Sequence, residues 1–139
     1  METTTTKHLP PELLRVVDAN LNRLKEGIRV IEDIARYSYN NKTIASQLKK
    51  LRHQSNIGDT TALLHSRDSS NDVLRPTTKS EMNRATLEGI IIANYKRAQE
   101  SSRVLEELYK LIDPTLSERF KTLRYELYTL EKEQLLSCK

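Results

Sequence analysis

The sequence is poor in the residues on which several common folds and sites depend. Among its 139 residues it has no tryptophan, one phenylalanine and three glycines, which argues against a β-rich fold and against a glycine-built phosphate loop. The single cysteine, Cys138, cannot form a disulfide framework, so we expect a cytoplasmic protein. No apolar run reaches the length of a membrane span, and the first residues, METTTTKHLPP, lack the apolar stretch of a secretion signal.

The charged residues are numerous but mixed in sign. Lysine and arginine number 23 against 19 aspartates and glutamates, for a net charge of +4. Because basic and acidic residues alternate along the chain, the pattern favours a small anionic ligand over a nucleic-acid surface. A chain of this length normally forms one domain, and a hydrophobic fraction of 37% predicts a small core with room for a homodimer interface.

The spacing of apolar residues predicts helices throughout and no strand. In the first forty residues, apolar positions recur at alternating steps of three and four, as in a helix that packs along another helix. This helix should begin at Pro10-Pro11, since proline suits a first helical turn, and end near Tyr39 before Asn40-Asn41.

The rest of the chain predicts further helices around one loop. A second helix carries Ile44, Leu48 and Leu51 and ends near residues 56–58, and a short helical piece follows at 60–65. Residues 66–79 are polar and contain a proline, so they are expected to form a loop. Thr78 and Glu81 have the spacing of a capping box for the next long helix, which should end at Asp113-Pro114. The last helix should run to about Leu136.

The chain repeats itself at an offset of 74 residues. The residues that match are Ala19, Asn20, Arg23, Glu26, Arg29, Val30 and Glu32 with Ala93, Asn94, Arg97, Glu100, Arg103, Val104 and Glu106. The following helices match at a slightly shorter offset, with LKKLRH at 48–53 against FKTLRY at 120–125. We therefore predict one all-α domain, a helical bundle of two pseudo-symmetric helix pairs at about 10–65 and 80–137, after a polar tail at 1–9.

A polar stripe crosses the apolar face of both long helices. Asn20 and Arg23 align with valines on a helix, and Asn94 and Arg97 repeat the arrangement. A buried arginine needs an anionic partner, since a buried charge without one costs several kcal/mol. Two partners fit the pattern: an anionic ligand, or the glutamate three residues further along the same helix, Glu26 or Glu100. The stripe keeps its Asn, Arg and Glu in both copies while apolar positions change, which favours the ligand.

Other charged residues suit the same kind of ligand. Arg52 and Arg124 occupy equivalent positions between apolar neighbours. This placement suits two roles: binding phosphate, or covering the core with the aliphatic part of the side chain. In the loop, Arg67 lies beside Asp68 and Asp72, a combination that forms an ordinary polar turn or a clamp for phosphate and magnesium.

The stretches DANLNRLKEGIRVIED and ANYKRAQESSRVLEEL, the LRH and LRY helices and the RD…DV loop give the chain a family resemblance. From about Arg15 to Glu131 it resembles the small hydroxymethylpyrimidine phosphate kinases of bacterial thiamine biosynthesis, a domain often fused to thiamine phosphate synthase. The resemblance implies ATP-dependent phosphorylation of hydroxymethylpyrimidine phosphate to the diphosphate. The chain departs from that family at Leu74, where a glycine is usual, and it carries no synthase barrel, as in a standalone or excised version.

These observations assign expected roles to individual residues. The groups expected to stabilise the transferred phosphoryl group are Arg23, Arg97 and Arg67. The groups expected to bind substrate or phosphate are Asn20, Glu26, Asn94, Glu100, Arg52 and Arg124. ATP is the expected donor, and Asp68 and Asp72 are expected to hold Mg²⁺. Two other functions suit the pattern: an arginine-lined helical enzyme for a small dianion, as in chorismate mutases, and a non-catalytic partner of thiamine phosphate synthase.

Overall fold

A computed structural model describes residues 9–58, 60–76 and 86–138, which form helices and turns without a strand. The helices are α1 (Pro11–Asp33), α2 (Lys42–Gln54), α3 (Thr61–Ser66), α4 (Leu87–Tyr109) and α5 (Pro114–Ser137). The all-α prediction is confirmed over these ranges. None of the helices described there is long and apolar enough to cross a membrane.

The helix ends lie close to the positions predicted from local sequence. Pro11 opens α1, where its missing N–H leaves no hydrogen bond unmade. After α1 the chain continues through one π-helical turn, Ile34–Ser38, and reverses at Asn40 with a φ of 51°. Asparagine adopts this left-handed conformation more readily than most residues. The next residue, Asn41, caps α2 by accepting a hydrogen bond from a first-turn N–H.

The second long helix, α4, begins at Leu87. Its cap is Thr86, whose hydroxyl accepts a hydrogen bond of 2.9 Å from the N–H of Gly89. The predicted capping residues Thr78 and Glu81 lie outside the described residues. α4 ends before Asp113, which caps α5 as the Asp113-Pro114 signal predicts.

The two long helices form the centre of the bundle. α1 packs along α4, α2 and α3 pack on α1, and α5 packs on α4. Gly27 marks the closest approach, because a Cβ at this position would lie 3.1 Å from the backbone oxygen of Asn94. The apolar seam of each long helix faces its neighbours, and the largest fully buried apolar side chains are Tyr95, Phe120, Leu24, Ile28, Ile31, Leu48, Leu51, Ile91, Leu105, Leu123 and Leu127.

Several side-chain contacts repeat between the two halves. The amide of Asn20 donates to the oxygen of Val16 at 2.8 Å, and the amide of Asn94 donates to the oxygen of Ile90 at 2.9 Å. On the exposed faces, Arg29 pairs with Asp33 as Arg103 pairs with Glu107. These repeated contacts fit the duplication predicted from the sequence.

Candidate functional site

An open cleft of about 500 Å³ lies between the two long helices. Its lining consists of Asn20 and Arg23 from α1 with Ala93, Lys96, Arg97, Glu100, Ser101 and Val104 from α4. The wall carries three cationic side chains and one carboxylate, so its electrostatic potential favours an anion. We call it the α1/α4 cleft.

Three of the four residues predicted to share a pocket line this cleft. Asn20, Arg23 and Arg97 line it, whereas Asn94 does not, although Asn20 and Asn94 are both buried. The backbone of Asn94 contacts Gly27 instead, so this asparagine lies at the helix–helix contact. The cleft thus draws unequally on the two copies of the motif.

The arginines of the polar stripe are more exposed than the sequence pattern indicates. Arg23 is exposed and Arg97 is partly exposed, because the stripe borders the cleft while the neighbouring apolar seam enters the core. Val16 and Val30, the apolar residues of the stripe, are themselves 37% and 36% exposed. A burial cost therefore does not demand an anionic partner for Arg23.

The predicted pairing of these arginines with glutamates of the same helix is not found for Arg23. Among the described residues, Arg23 makes no hydrogen bond or salt bridge, and Glu26 is exposed and lines neither cleft of the site. Glu100 does line the α1/α4 cleft. The structure thus places Glu100, but not Glu26, in the predicted site.

A second cleft of about 380 Å³ lies between α1 and the loop that follows α3. Its lining residues are Glu12, Arg15, Val16, Asp18, Ala19, Asn20, Asn22, Arg23, Arg67, Asp68, Ser69 and Asp72. We call it the loop cleft. It shares Asn20 and Arg23 with the α1/α4 cleft, so Arg23 lies where the two clefts meet.

Arg67 is held against α1 by a buried carboxylate. Its Nε and Nη2 donate to the two oxygens of Asp18 at 2.8 and 2.7 Å, which raises the pKa of the Arg67 guanidinium. Arg15 adds a hydrogen bond of 3.0 Å from Nη2 to the backbone oxygen of Asp68. Together these contacts attach the loop to α1 and leave Arg67 in the wall of the loop cleft.

Asp68 and Asp72 both line the loop cleft and both stabilise the turn that contains them. The carboxylate of Asp68 accepts hydrogen bonds from the side-chain amide of Asn71 at 2.8 and 3.0 Å, which lowers the pKa of Asp68. Asp72 Oδ1 accepts from the N–H of Leu74 at 2.9 Å. In the ranges that the structure describes, no group of three or more His, Cys, Asp or Glu side chains is placed to hold a metal ion.

Arg52 and Arg124, predicted to bind substrate or phosphate, line neither cleft, and each pairs with a glutamate of the preceding long helix. Arg52 binds Glu32 through Nε to Oε1 at 2.6 Å and Nη2 to Oε2 at 3.1 Å. Arg124 is buried and binds Glu106 Oε1 through Nη2 at 2.8 Å. In each half, the paired glutamate raises the pKa of the arginine. These contacts tie α2 to α1 and α5 to α4.

Sequence reasoning missed two residues that shape the site, Lys96 and Asp18, and the partners of Arg52 and Arg124. Lys96 lines the α1/α4 cleft and lies 3.5 Å from Glu131, whose carboxylate also accepts a hydrogen bond of 2.8 Å from Gln99. Asp18 anchors the loop. Glu32 and Glu106, as partners of Arg52 and Arg124, were detectable, because both members of each pair recur in the duplication.

The chain is similar to part of several thiamine-phosphate synthases. The protein from Nostoc punctiforme is 39% identical over 118 residues, which cover 84% of this chain and 34% of that protein. The protein from Synechocystis is 38% identical over 123 residues, covering 88% of this chain and 36% of its own length. The protein from Thermosynechococcus vestitus is 39% identical over 129 residues, which cover 90% of this chain and 36% of that protein. The chain thus spans about a third of the length of these relatives.

The comparison with protein families covers most of the chain. The model of the ThiD2 family matches residues 15–133, a range that includes α4, all of α1 but its first four residues, and both clefts except Glu12. No solved structure matches the chain.

Proposed function

Since the chain belongs to the ThiD2 family, we propose that it phosphorylates hydroxymethylpyrimidine phosphate to the diphosphate in thiamine biosynthesis, with ATP as the donor. The similarity to thiamine-phosphate synthases supports the pathway. The observation that supports this reaction is that Arg23 lies where two adjacent clefts meet. Among the described residues, this cation has no protein partner.

The chemistry suits a site that has cations and no evident general base. The acceptor is a phosphate ester, and the second pKa of a phosphate is about 6, so its attacking oxygen is already ionised near neutral pH. The remaining tasks are to hold two anions in line and to offset the charge that develops between them. Helical arginines can perform both tasks without a glycine-rich phosphate loop.

The two clefts offer one place for each anion. On one side of Arg23 lie Lys96 and Arg97 in the α1/α4 cleft, and on the other lie Arg15 and Arg67 in the loop cleft. Volumes of about 500 and 380 Å³ suit small phosphorylated molecules. In this arrangement Arg23 contacts the phosphoryl group as it passes between the clefts.

Asn20 is suited to orient the acceptor. Its amide nitrogen is fixed by the hydrogen bond to Val16, which leaves the amide oxygen to accept from an amino group of the pyrimidine. No described residue donates a hydrogen bond to that oxygen. Because Asn20 belongs to the walls of both clefts, this contact would place the acceptor next to Arg23.

Asp68 and Asp72 fit a magnesium ion that is shared with phosphate oxygens. Mg²⁺ is commonly held by one or two carboxylates together with substrate phosphates, and it keeps several of its waters. Both carboxylates line the loop cleft with Arg67, so they would hold the ion there. The ion would supply additional positive charge beside the transferred group.

A second function is a non-catalytic partner of a thiamine-phosphate synthase. It is favoured by one observation: this chain corresponds to about a third of the length of each relative, and each relative is a thiamine-phosphate synthase. A third function, an arginine-lined enzyme for one small dianion, would use the α1/α4 cleft alone. Neither alternative requires ATP.

The decisive experiment is a direct assay of turnover. The full chain is incubated with Mg-ATP and the pyrimidine monophosphate, and the diphosphate and ADP are measured. Arg23→Gln should lower the turnover number about a hundredfold, as loss of one transition-state contact does elsewhere. The control is Arg29→Gln on the same helix, whose side chain pairs with Asp33 on the exposed face.

The outcomes separate the three functions. Production of diphosphate and ADP by the parent, lost in Arg23→Gln and kept in Arg29→Gln, supports the kinase. No turnover, together with a change in the rate of an added thiamine-phosphate synthase, supports the partner. Conversion of a dianion without ATP supports the third function. Equal turnover by Arg23→Gln and Arg29→Gln would show that the meeting point of the clefts is not the site.

A further inference from the structure

A second basic surface lies along α2, apart from the candidate site. One cleft of about 290 Å³ is lined by Arg36, Lys42 and Lys49 with Ser46, and another of about 430 Å³ by Lys49, Lys50, His53 and Arg119 with Ser46. The two clefts share Ser46 and Lys49, so they form one continuous concave surface. Neither cleft shares a lining residue with the α1/α4 cleft or the loop cleft.

The positive charge of this surface has no acidic counterpart. Within the described ranges, the cations of the α2 basic face (Arg36, Lys42, Lys49, Lys50 and Arg119) make no salt bridge. The only carboxylate in the two linings is Glu32. Its charge is already offset by Arg52, which lines neither cleft. Five unpaired cations therefore converge on a surface whose single acid is neutralised from elsewhere.

The duplication supplies an internal comparison for this charge. The α2 residues Lys42, Ser46, Lys49, Lys50 and His53 align with Pro114, Glu118, Lys121, Thr122 and Tyr125 at the offset that relates Arg52 to Arg124. The α2 helix contains four basic residues and no acidic one, whereas the aligned part of α5 keeps only Lys121 of the cleft lysines and carries Glu118. Two of the three cleft lysines are thus specific to α2, and Arg36 and Arg119 add charge to the cleft lysines from the turn after α1 and from α5.

We propose that the α2 basic face binds a small anion that carries two or more phosphate groups, at a site separate from the proposed catalytic clefts. Arginine and lysine are the usual phosphate ligands in proteins, and the two joined clefts offer them along a line rather than at one point. A single-stranded nucleic acid fits less well, because among the described residues no tyrosine or phenylalanine lines either cleft for a base to stack on.

The test uses inorganic tripolyphosphate, titrated calorimetrically into the full chain. The catalytic clefts are also cationic, so the titration is done in the Arg23→Gln/Arg97→Gln background, in which the α2 face is unaltered. Lys49→Gln changes the residue common to both clefts, and Lys121→Gln changes its aligned position in α5 as the matched control. We expect Lys49→Gln to weaken binding about tenfold, the effect of one lost charge-assisted contact, and Lys121→Gln to leave it unchanged.

Four results would overturn the proposal. The first is equal affinity in the Lys49→Gln and Lys121→Gln variants. The second is complete loss of tripolyphosphate binding in the Arg23→Gln/Arg97→Gln background, which would assign all anion binding to the catalytic clefts. The third is binding of a single-stranded RNA oligonucleotide through Lys49 with no binding of tripolyphosphate. Orthophosphate at the same ionic strength should bind more weakly than tripolyphosphate, and equal affinities would contradict a site for several phosphates.

Discussion

The guanidinium of Arg124 lies inside the bundle and contacts the carboxylate of Glu106 through a single nitrogen, Nη2, at 2.8 Å. Its Nε is buried and has no hydrogen-bond partner in the described part of the chain. In the first half, the aligned Arg52 binds Glu32 through two nitrogens. The pair therefore recurs with the duplication, but in the second half the carboxylate accepts a single hydrogen bond, and the ring of Tyr125 lies 5.1 Å from the guanidinium carbon as a second contact.

Removing Glu106 should destabilise the fold strongly. In Glu106→Ala the Arg124 guanidinium remains buried without a counter-ion, which typically lowers the free energy of unfolding by about 3–5 kcal/mol. Urea unfolding followed by circular dichroism measures this change. The neighbouring Glu107 pairs with Arg103 and Lys110 on the exposed face, so Glu107→Ala should have little effect. Similar midpoints for the two variants would contradict a structural role for the buried pair.

Replacing Gly27, even by alanine, should bring no gain in the free energy of unfolding. An added Cβ would lie 3.1 Å from the backbone oxygen of Asn94, and a helix backbone cannot move aside without separating α1 from α4. Gly27→Ala should therefore forgo the gain of about 1 kcal/mol that alanine usually brings inside a helix, and Gly27→Val should lower the free energy of unfolding by about 1–3 kcal/mol.

The control for Gly27 is Gly58, where an added Cβ would meet no atom within 4 Å. Gly58→Ala should keep the parent stability in the same urea titration. If Gly27→Ala proved more stable than the parent, the close contact between α1 and α4 would not be the reason for the glycine.

Substitution of the loop carboxylates should alter the magnesium requirement of the proposed reaction. Asp68→Asn and Asp72→Asn each remove a negative oxygen ligand from the loop cleft, so a higher Mg²⁺ concentration should be needed for half-maximal turnover. Asp33→Asn, on the exposed side of α1, serves as the control. If both loop variants keep the parent rate and magnesium dependence, the ion is held elsewhere and the loop serves only to position Arg67.

Alkaline pH should destabilise the fold through its buried tyrosines. Burial, reinforced by the charge of Asp113, raises the pKa of Tyr109 to about 12, against an ordinary value of about 10. The neutral hydroxyl is favoured by folding, so this contribution to stability is complete below pH 10 and is lost as the pH rises toward 12. Burial raises the pKa of Tyr95 as well.

The variant that isolates this effect is Tyr109→Phe, which keeps the stacking on Phe120 at a centroid distance of 5.6 Å. The free energy of unfolding should fall less steeply with pH above 10 in this variant, by at most about 1.4 kcal/mol per pH unit, the limit for one proton. Tyr125→Phe, at an exposed position, should leave the slope unchanged. An identical slope in the parent and Tyr109→Phe would contradict the assignment.

The helices and their ends were predictable because their determinants lie close together in sequence. Proline at the first turn, Asn40-Asn41 at the reversal and Asp113 before α5 act within a few residues of the boundaries they set. The start of α4 is set in the same local way, by Thr86, whose hydroxyl accepts from the N–H of Gly89. The capping box predicted at Thr78 and Glu81 lies outside the described residues and stays a prediction.

The doubled motif placed part of the candidate site by sequence alone. A repeat of Asn, Arg and Glu at a constant offset identified Asn20 and Arg23 on α1 and Arg97 on α4 as residues of equivalent helix faces, and all three line the α1/α4 cleft. The same pattern could not separate Asn94 from them, because a helix face is defined by angle only. Whether a residue on that face meets a cleft or a neighbouring helix depends on the close approach at Gly27.

The sequence determined the secondary structure, the internal repeat and the face on which the cations lie, since each follows from spacing along one helix. Only the tertiary structure decided which carboxylates the arginines meet. Arg52, Arg67 and Arg124 meet carboxylates that are 20, 49 and 18 residues distant in sequence, and no local periodicity reports such contacts. An ion pair depends on distances of about 3 Å between groups from different helices, and those distances are set by how the helices pack.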